Sequence, residues 1–338
     1  VEVFLEEPRE DGTEFRSARL GMMGTIYERL NFKGEYEFAG GEAELTDAYI
    51  ELTELGFLGA FRVGHFKEPF SLEQLTSRRF ITFLERSLPD VFSPVRNVGF
   101  MLYNAVADDR ATWAIGLFRD TDDFGEGTTE GGEYNLTMRV TGLPWYVDKG
   151  RRLLHLGLGY THRSPLEDTV RFRQRPEVHL SPRFVDTGDI SASSEDRLGA
   201  EAALVFGPFS LQGEWMSADV DALETENVSF RGYYIQGSYF LTGENRSYST
   251  HSGAFSRVKP KKNFIPGKSL PGAWEVGMRF SNLDLNDEPV SGGELEDVTF
   301  GVNWHLNPNA RFMWNYVIAA LEKVDNVQAF TMRFQVDF

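Results

Sequence analysis

The sequence predicts an all-β protein, a transmembrane antiparallel β-barrel of about 16 strands. Three observations predict this fold. Apolar and polar residues alternate along most of the chain, and the connections between these segments alternate between short and long. The third is the lack of any long apolar run: a membrane helix needs roughly 20 consecutive apolar residues, and stretches such as 316–321 are far shorter.

The alternation is clearest at the end of the chain. In FTMRFQVDF (330–338) every second residue is apolar and the residues between are polar, which is typical of a strand with one apolar face. The same pattern predicts strands at 134–140, 198–206, 233–241, 274–280, 298–304 and 312–318. Weaker candidates lie near 1–6, 14–26, 29–38, 44–54, 59–66, 98–106, 111–119, 152–162 and 208–217. This gives about sixteen strands, each near the ~10 residues that a tilted membrane strand requires.

The connections between these segments predict how the barrel is oriented. Tight turns are expected at Gly207-Pro208, at Asn307-Pro308 and at 55–58. Long loops are expected at 67–97, 120–132, 163–196, 243–270 and 282–293. Short turns on one rim and long loops on the other describe an outer-membrane barrel. No Pro/Ser-rich linker interrupts the chain, so 1–338 is predicted to be a single domain.

Soluble β-sandwiches and propellers also alternate in this way, and either fold accounts for a single strand. A propeller requires a blade repeat, and the sequence shows none. Aromatic residues also cluster near the strand ends, as expected of girdles at the two membrane interfaces: Trp113, Trp145, Trp215, Trp274, Trp304, Phe240 and Tyr248. A last strand paired with the first would close the barrel and leave no exposed edge.

Composition excludes several classes of function. A net charge of −17 and a pI near 4.9 argue against a nucleic-acid partner, which needs clustered Lys and Arg. There is no cysteine, and neither a Gly-x-Ser-x-Gly nor a His-Glu-x-x-His motif occurs. We therefore predict no catalytic residues, no metal and no cofactor. Carboxylate pairs are too abundant to be informative, so a soluble β-rich binding or carbohydrate-active protein remains the alternative from another class. The start, VEVFLEE, looks processed or truncated.

Positive charge concentrates in three segments despite the acidic whole. Residues 60–104 and 160–185 each carry a net charge of +2, and residues 244–268 carry +5. Lys and Arg in a narrow pore attract anions because low-dielectric walls focus the field. Each of these residues has a competing reading as a salt bridge or as a solvated loop charge, the latter above all for Lys261 and Lys262.

Five longer stretches resemble a known family. They are GHFKEPFSLEQLTSRRFITFLERSLP (64–89), YYIQGSYFLTGENRSY (233–248), GAFSRVKP (253–260), GAWEVGMRFSNLDLND (272–287) and GVNWHLNPNARFMWNYV (301–317). They resemble the phosphate-selective porin O and P family of Gram-negative bacteria, over about 15–338. The resemblance implies a sixteen-stranded trimeric porin of the outer membrane, in contact with its lipids, whose third external loop, about 68–97 here, folds inward and builds the constriction. It also implies that a terminal Phe such as Phe338 is part of the signal read by the insertion machinery.

The resemblance also implies which residues bind the solute. Ser77 and Arg86 match a serine and an arginine that line the phosphate site, Arg79 stands where the family has a lysine, and Arg78 lies in the same constriction. Arg16, Arg173 and Arg175 resemble an arginine ladder that guides anions inward, and Asp47 matches an acidic residue beside the site.

Two departures from the family pattern bear on specificity. Gln74 occupies the place of a central lysine, and Glu177 and Ser181 replace ladder arginines. The expected function is passive diffusion of small hydrophilic solutes through a water-filled channel, with an anion or phosphate preference. The alternative within transport is a general or organic-solute porin without phosphate specificity.

Overall fold

The computed structural model describes residues 11–41, 43–121, 134–321 and 326–338. Helical structure in these ranges is limited to α1 (Leu72–Leu75) and short 3-10 turns at Gly56–Leu58, Leu88–Phe92, Asp148–Gly150 and Leu166–Asp168, and none of it is long and apolar enough to cross a membrane. The strands are β1 (Arg19–Ile26), β2 (Leu30–Glu37), β3 (Glu44–Leu52), β4 (Ala60–Lys67), β5 (Arg96–Val106), β6 (Ala111–Arg119), β7 (Asn135–Val147), β8 (Arg152–Arg163), β9 (Thr169–Val170), β10 (Arg173–Gln174), β11 (Val185–Asp186), β12 (Ile190–Phe206), β13 (Phe209–Ala222), β14 (Val228–Phe240), β15 (Ser247–Ser249), β16 (Ala254–Ser256), β17 (Ala273–Asp287), β18 (Val290–Asn307), β19 (Ala310–Leu321) and β20 (Val327–Val336).

The long strands form one antiparallel path in chain order. Fifteen strands follow one another from β1 to β20, and β9 joins this sheet beside β12, so the sheet has sixteen strands. Strands β10 and β11 pair with each other, as do β15 and β16, within two of the connections. Among the described residues the path ends at β1 and β20 with no ladder between these two strands. The predicted strand at 1–6 lies outside the described residues, so closure of the barrel stays a prediction.

The two faces of the sheet carry different residues, as β20 shows. Phe330, Met332 and Phe334 are 57–68% exposed on the outer face. Between them, Arg333 points inward and bonds to Glu85 of the connection between β4 and β5. The predicted arrangement, with apolar residues outward and polar residues inward, is confirmed.

The connection 68–95, which we call the constriction loop, lies inside the sheet as predicted. Its backbone N–H groups at Leu72 and Glu73 donate to Glu214 of β13 at 3.0 and 2.7 Å. Four strands further along the sheet, Arg311 of β19 donates to the carbonyl oxygen of Ile81 at 2.9 Å. The loop therefore crosses the interior and is fastened to inward-facing side chains on separate strands, which is how its position is fixed.

At the loop-rich rim the interior is apolar, and this corrects one prediction. Residues 282–293, expected to be a long loop, continue β17 and β18 around a tight turn at 288–289. Leu283, Leu285 and Leu295 are fully buried there against Phe172 of the connection 164–189 and other apolar side chains. Inward-facing residues at this end pack against loops rather than water, so the polar-inward pattern that marks a membrane strand is lost.

The long connection 241–272 lies on the other rim, contrary to the prediction. Counting strands in the antiparallel path places it on the rim of the short turns, with 107–110, 148–151 and 207–208. Its first part enters the lumen, where Arg139 donates to the carbonyl oxygen of Gly253 at 2.8 Å. Gly253 has φ +59°, and a Cβ there would lie 3.1–3.2 Å from three wall side chains, so this close approach favours glycine.

Other differences are smaller. The strand predicted at 14–26 begins at Arg19, so Glu14 and Arg16 precede the sheet. Two of the residues assigned to aromatic girdles face the interior instead: Phe240 is 1% exposed, and Tyr248 bonds to His155 at 2.6 Å. The predicted loop 163–196 ends earlier, because β12 begins at Ile190, and the loop at 120–132 falls mostly outside the described residues.

Candidate functional site

The carboxylate of Glu85 is the centre of a basic cluster in the constriction loop. Arg16 donates to both of its oxygens, at 2.9 and 2.8 Å, and Arg333 donates to one of them at 2.7 Å. Burial favours the neutral acid, but the two guanidinium groups outweigh it and lower the pKa of Glu85 to about 2. Glu85 is therefore ionised at neutral pH and compensates one of the two positive charges that contact it.

Arg78 adds positive charge that no described carboxylate compensates at ion-pair distance. Burial first, and then the charges of Arg16 and Arg86, lower the pKa of Arg78 to about 9. The guanidinium remains protonated at neutral pH. Arg78 lies among other arginines, and Glu85 is the acid that acts on it most. The electrostatic potential at this position therefore attracts anions and repels cations.

Arg86 is held mainly by backbone oxygens. Its guanidinium donates to the carbonyl oxygens of Glu73, Gln74 and Thr76 at 3.3–3.4 Å, and Asp90 lies 3.9 Å away. Burial raises the pKa of Asp90 to about 6 even though Arg86 acts in the opposite direction. The charge on Arg86 is thus only partly balanced near neutral pH, and less so in acid.

Ser77 and Arg79 lie on either side of Arg78 in the sequence, but they bond to each other rather than to Glu85. The Ser77 hydroxyl oxygen accepts from the Arg79 backbone N–H and from its Nε, both at 3.4 Å. Arg79 is 43% exposed, and its Nη1 is 3.7 Å from Asp337. Arg79 therefore faces the rim of the short turns, toward the end of the chain. Because Arg79 is exposed, solvent screens its interaction with Asp337.

A second group of arginines lies in the connection 164–189 on the loop-rich rim. Arg183 is within electrostatic range of Arg173 and Arg175, and burial first, then these two charges, lower its pKa. Arg173 is exposed on β10, and Arg175 donates to the carbonyl oxygen of His179. His179 is in turn 2.8 Å from Glu14, two residues from Arg16, so this group adjoins the segment that leads to the Glu85 cluster.

Asp47 is neutralised rather than free. Arg96 donates to it at 2.8 Å, and Lys33 forms an ion pair with its other oxygen. Lys67, whose ammonium group bonds to the Gln74 carbonyl oxygen, lies within electrostatic range of Arg86, Asp47 and Asp90. Asp47 thus balances basic residues on β2 and at the start of β5, beside the constriction loop.

The positions that depart from the family pattern have structural partners. Gln74 is 2% exposed, and its backbone oxygen accepts from Lys67 and Arg86. Glu177 is 3% exposed and bonds to Arg279 at 2.9 Å and to Ser281 at 2.6 Å. Glu177 therefore fastens the connection 164–189 to the wall, and its charge is buried.

Some residues of the site escaped the sequence analysis. Arg333 occupies a polar position of the alternating segment 330–338, but neither it nor Arg311 was assigned to the site, and Lys33 was not singled out. The signal was present, because the two-residue alternation points all three inward. Within the described ranges no three His, Asp or Glu side chains come together as a metal site.

Comparison with known proteins identifies the family. The family model "Phosphate-selective porin O and P" matches residues 3–338. Porin O of Pseudomonas aeruginosa is 26% identical over 357 residues, covering 94% of this chain and 78% of that protein. An uncharacterized protein of Caulobacter vibrioides is 31% identical over 318 residues, covering 90% of this chain. The chain spans only 62% of the length of the Caulobacter relative.

Solved structures agree on the fold at low sequence identity. An anion-selective porin from Comamonas acidovorans aligns with a TM-score of 0.54 at 14% identity, over 96% of this chain and 89% of that one. A trimer form of OmpT, an outer membrane protein of Vibrio cholerae, aligns with a TM-score of 0.52 at 12% identity, over 98% and 90%. With the family match over nearly its whole length, the chain belongs to the phosphate-selective porin O and P family of outer-membrane β-barrel porins.

Proposed function

We propose that this porin prefers anions, inorganic phosphate among them. The observation that carries the proposal is the cluster around Glu85, where Arg16, Arg78 and Arg333 surround one carboxylate. Arg86 adds a further charge that is only partly balanced by Asp90. The excess positive charge lies at the narrowing of the lumen, where low-dielectric walls make it act strongly on a passing ion.

The mechanism is passive diffusion. Arginines at the loop-rich rim raise the local concentration of anions, and the Glu85 cluster then replaces part of the hydration shell of the ion with N–H donors. Guanidinium groups suit phosphate because their forked donors match two of its oxygens. Ser77 offers a hydroxyl beside the same cluster.

Two measurements in a planar bilayer test the proposal. Reversal potentials under a KCl gradient should show anion preference, and a cation preference would overturn the proposal. Phosphate titrated into chloride should then reduce the single-channel current, because a bound phosphate blocks chloride. An unchanged current together with anion preference would leave a general anion pore and remove the phosphate site.

The second candidate is a general pore for polar or organic solutes. It is favoured by Glu177 and Gln74, which stand where the family resemblance implies basic residues and are instead built into the wall and the loop. These two positions contribute no positive charge to the path. Equal permeability to K⁺ and Cl⁻, with no phosphate block, is the result that would select this candidate.

We also propose that the chain assembles as a homotrimer in contact with outer-membrane lipids. The support is the family match and the trimer form of OmpT, which has the same fold. Much of the outer face of β1 is apolar and exposed, with Leu20 and Met22 at 69–70%, as a face that meets lipid or another subunit requires. Mass measurement of the detergent-solubilised protein separates a trimer from a monomer.

A further inference from the structure

The second half of the connection 241–272 leaves the lumen and lies on the outside of the barrel. The backbone N–H of Phe264 donates to the carbonyl oxygen of Leu306 at 2.6 Å, and its ring is 4.8 Å from that of Trp304. The indole N–H of Trp304 donates to the carbonyl oxygen of Pro271 at 2.7 Å. Trp304 faces outward, because Asn303 beside it in the strand is 1% exposed and points into the lumen. We call residues 259–271 the outer strap.

The strap lies against a band of aromatic rings on the lipid-facing surface. Trp274 stacks on Trp304 at 5.1 Å and on Trp314 at 6.5 Å between ring centroids. Phe312 continues the band to Phe334 on β20 at 4.6 Å. Aromatic bands of this kind mark the level of the lipid headgroups. The strap is on the rim of the short turns, which is the periplasmic side of such barrels.

The strap is strongly basic in an acidic protein. From 245 to 274 the chain has no Asp or Glu, whereas the whole chain carries −17. The strap contains four exposed lysines: Lys259, Lys261, Lys262 and Lys268. Lys261 is held at the rim, where its backbone N–H donates to the Glu244 carboxylate at 3.0 Å and its ammonium group donates to the carbonyl oxygen of Gly243 at 2.5 Å. None of the four ammonium groups lies at ion-pair distance from a carboxylate of the described residues. The positive charge of Lys259, Lys262 and Lys268 is therefore exposed and not compensated by a carboxylate of the described residues.

The strap also presents apolar side chains beside the lysines. Ile265 is 39% exposed, next to Phe264 on the Trp304 ring. Lysines whose alkyl stems follow an apolar surface place their ammonium groups at headgroup level. An anionic leaflet attracts each such charge at its surface. A surface that has apolar side chains on the acyl-chain side and cationic groups on the headgroup side is complementary to a phospholipid with a negative headgroup.

We propose that the outer strap binds the headgroups of anionic phospholipids in the periplasmic leaflet of the outer membrane. The lysines contact the phosphates, and Phe264 and Ile265 lie at the top of the acyl chains. The site is on the outer surface and away from the lumen, so it does not depend on which solute the channel carries. Lipid binding would anchor 241–272, the only long connection on this rim of the described structure, to the bilayer.

The test is lipid binding to the delipidated protein in neutral detergent, followed by native mass spectrometry. Phosphatidylglycerol is the probe, and zwitterionic phosphatidylcholine, which carries no net charge, is the comparison. The strap variant changes all four lysines to glutamine: Lys259→Gln, Lys261→Gln, Lys262→Gln and Lys268→Gln. The control variant removes four exposed cations from other turns of the same rim: Arg29→Gln, Arg110→Gln, Lys149→Gln and Arg151→Gln.

We expect the strap variant to bind phosphatidylglycerol about tenfold more weakly or worse, and the control variant to stay within about twofold of the parent. Phosphatidylcholine should bind both alike. Equal phosphatidylglycerol binding by the parent and the strap variant would overturn the proposal, as would an equal loss in the control. Displacement of the lipid by millimolar inorganic phosphate would also overturn it, since it would assign the lysines to free anions. Heat-modifiable migration on SDS gels establishes that each variant is folded.

Discussion

Arg333, on the last strand of the sheet, donates a 2.7 Å hydrogen bond to the Glu85 carboxylate at the middle of the constriction loop. The same carboxylate accepts two hydrogen bonds from Arg16, which precedes the first strand. One acid in the lumen thus links residues next to the two ends of the strand path. Because two guanidinium groups share one carboxylate, the contact that holds the loop also leaves positive charge in the pore.

Arg78 is the residue whose replacement tests that positive charge most directly. We expect Arg78→Gln to lower the anion-to-cation permeability ratio by about fivefold, the equivalent of ~1 kcal/mol for one charge a few ångströms from a hydrated ion. Reversal potentials under a KCl gradient measure the ratio. Arg29→Gln, an exposed charge on a turn, is the matched control and should leave the ratio unchanged. An equal effect of the two variants would assign selectivity to overall charge rather than to the constriction.

Asp90 should make the selectivity depend on pH. Burial raises its pKa to about 6, so Asp90 is ionised at pH 7.5 and neutral at pH 5. Protonation removes a negative charge 3.9 Å from Arg86. We therefore expect anion preference to increase as the pH falls through about 6.

The Asp90→Asn variant isolates this effect. It should show the low-pH selectivity already at pH 7.5 and little change between pH 7.5 and 5. The folded-state pKa lies above the ordinary aspartate value of about 3.9, so ionising Asp90 opposes folding once the pH rises through that interval. The variant should accordingly resist unfolding better than the parent at pH 7.5 and equally at pH 4. A pH response that survives in the variant would point to another group.

Much of the fold could be predicted because membrane strands obey a two-residue period. The alternation at 330–336 assigned Phe334 outward and Arg333 inward, as the structure has them. The prediction failed where the lumen is filled by packed loops rather than by water. Leu283 and Leu285 face inward but are buried against loops, so the segment after 282 lost the polar face that would have identified it as strand.

The site was harder to predict than the fold. The constriction loop and its basic residues follow from the family resemblance, but their partners come from strands far away in sequence, such as Arg333 for Glu85. A local charge count cannot show that Arg79 is near Asp337, whereas the charges that act most on Arg78 are those of Arg16, Arg86 and Glu85. Nor does a loop's length tell which rim it occupies. The predicted strands, counted in order, already place 241–272 on the rim of the short turns, although its length grouped it with the long loops.

The buried ion pairs of Arg279 should govern how firmly the constriction loop is held. Arg279 is 1% exposed and bonds to Glu73 of the loop at 3.1 Å and to Glu177 at 2.9 Å. Arg279→Ala leaves both buried acids without a cation, a change that typically costs about 3–5 kcal/mol. We expect a lower midpoint of thermal unfolding in SDS and noisier single-channel current.

Arg152→Ala is the matched control for Arg279→Ala. Arg152 also pairs with an acid, Asp148 at 2.6 Å, but its side chain is 44% exposed, and such surface pairs contribute about 0–1 kcal/mol. Its midpoint and current noise should match those of the parent. If the two variants unfold alike, the buried network does not secure the loop.

The hairpin of β15 and β16 should limit conductance from the short-turn rim. It lies within the lumen, where Phe255 is 3% exposed beneath the guanidinium of Arg246 at 3.6 Å, and Tyr248 bonds to His155 of β8. Replacing 247–256 with Gly and Ser of equal length removes these contacts and empties part of the cross-section. We expect single-channel conductance to rise while anion preference is retained, because the Glu85 cluster is untouched. The same replacement in the exposed turn 223–227 should change neither property. A conductance that stays at the parental value in the hairpin variant would show that the constriction loop alone sets the narrowest section.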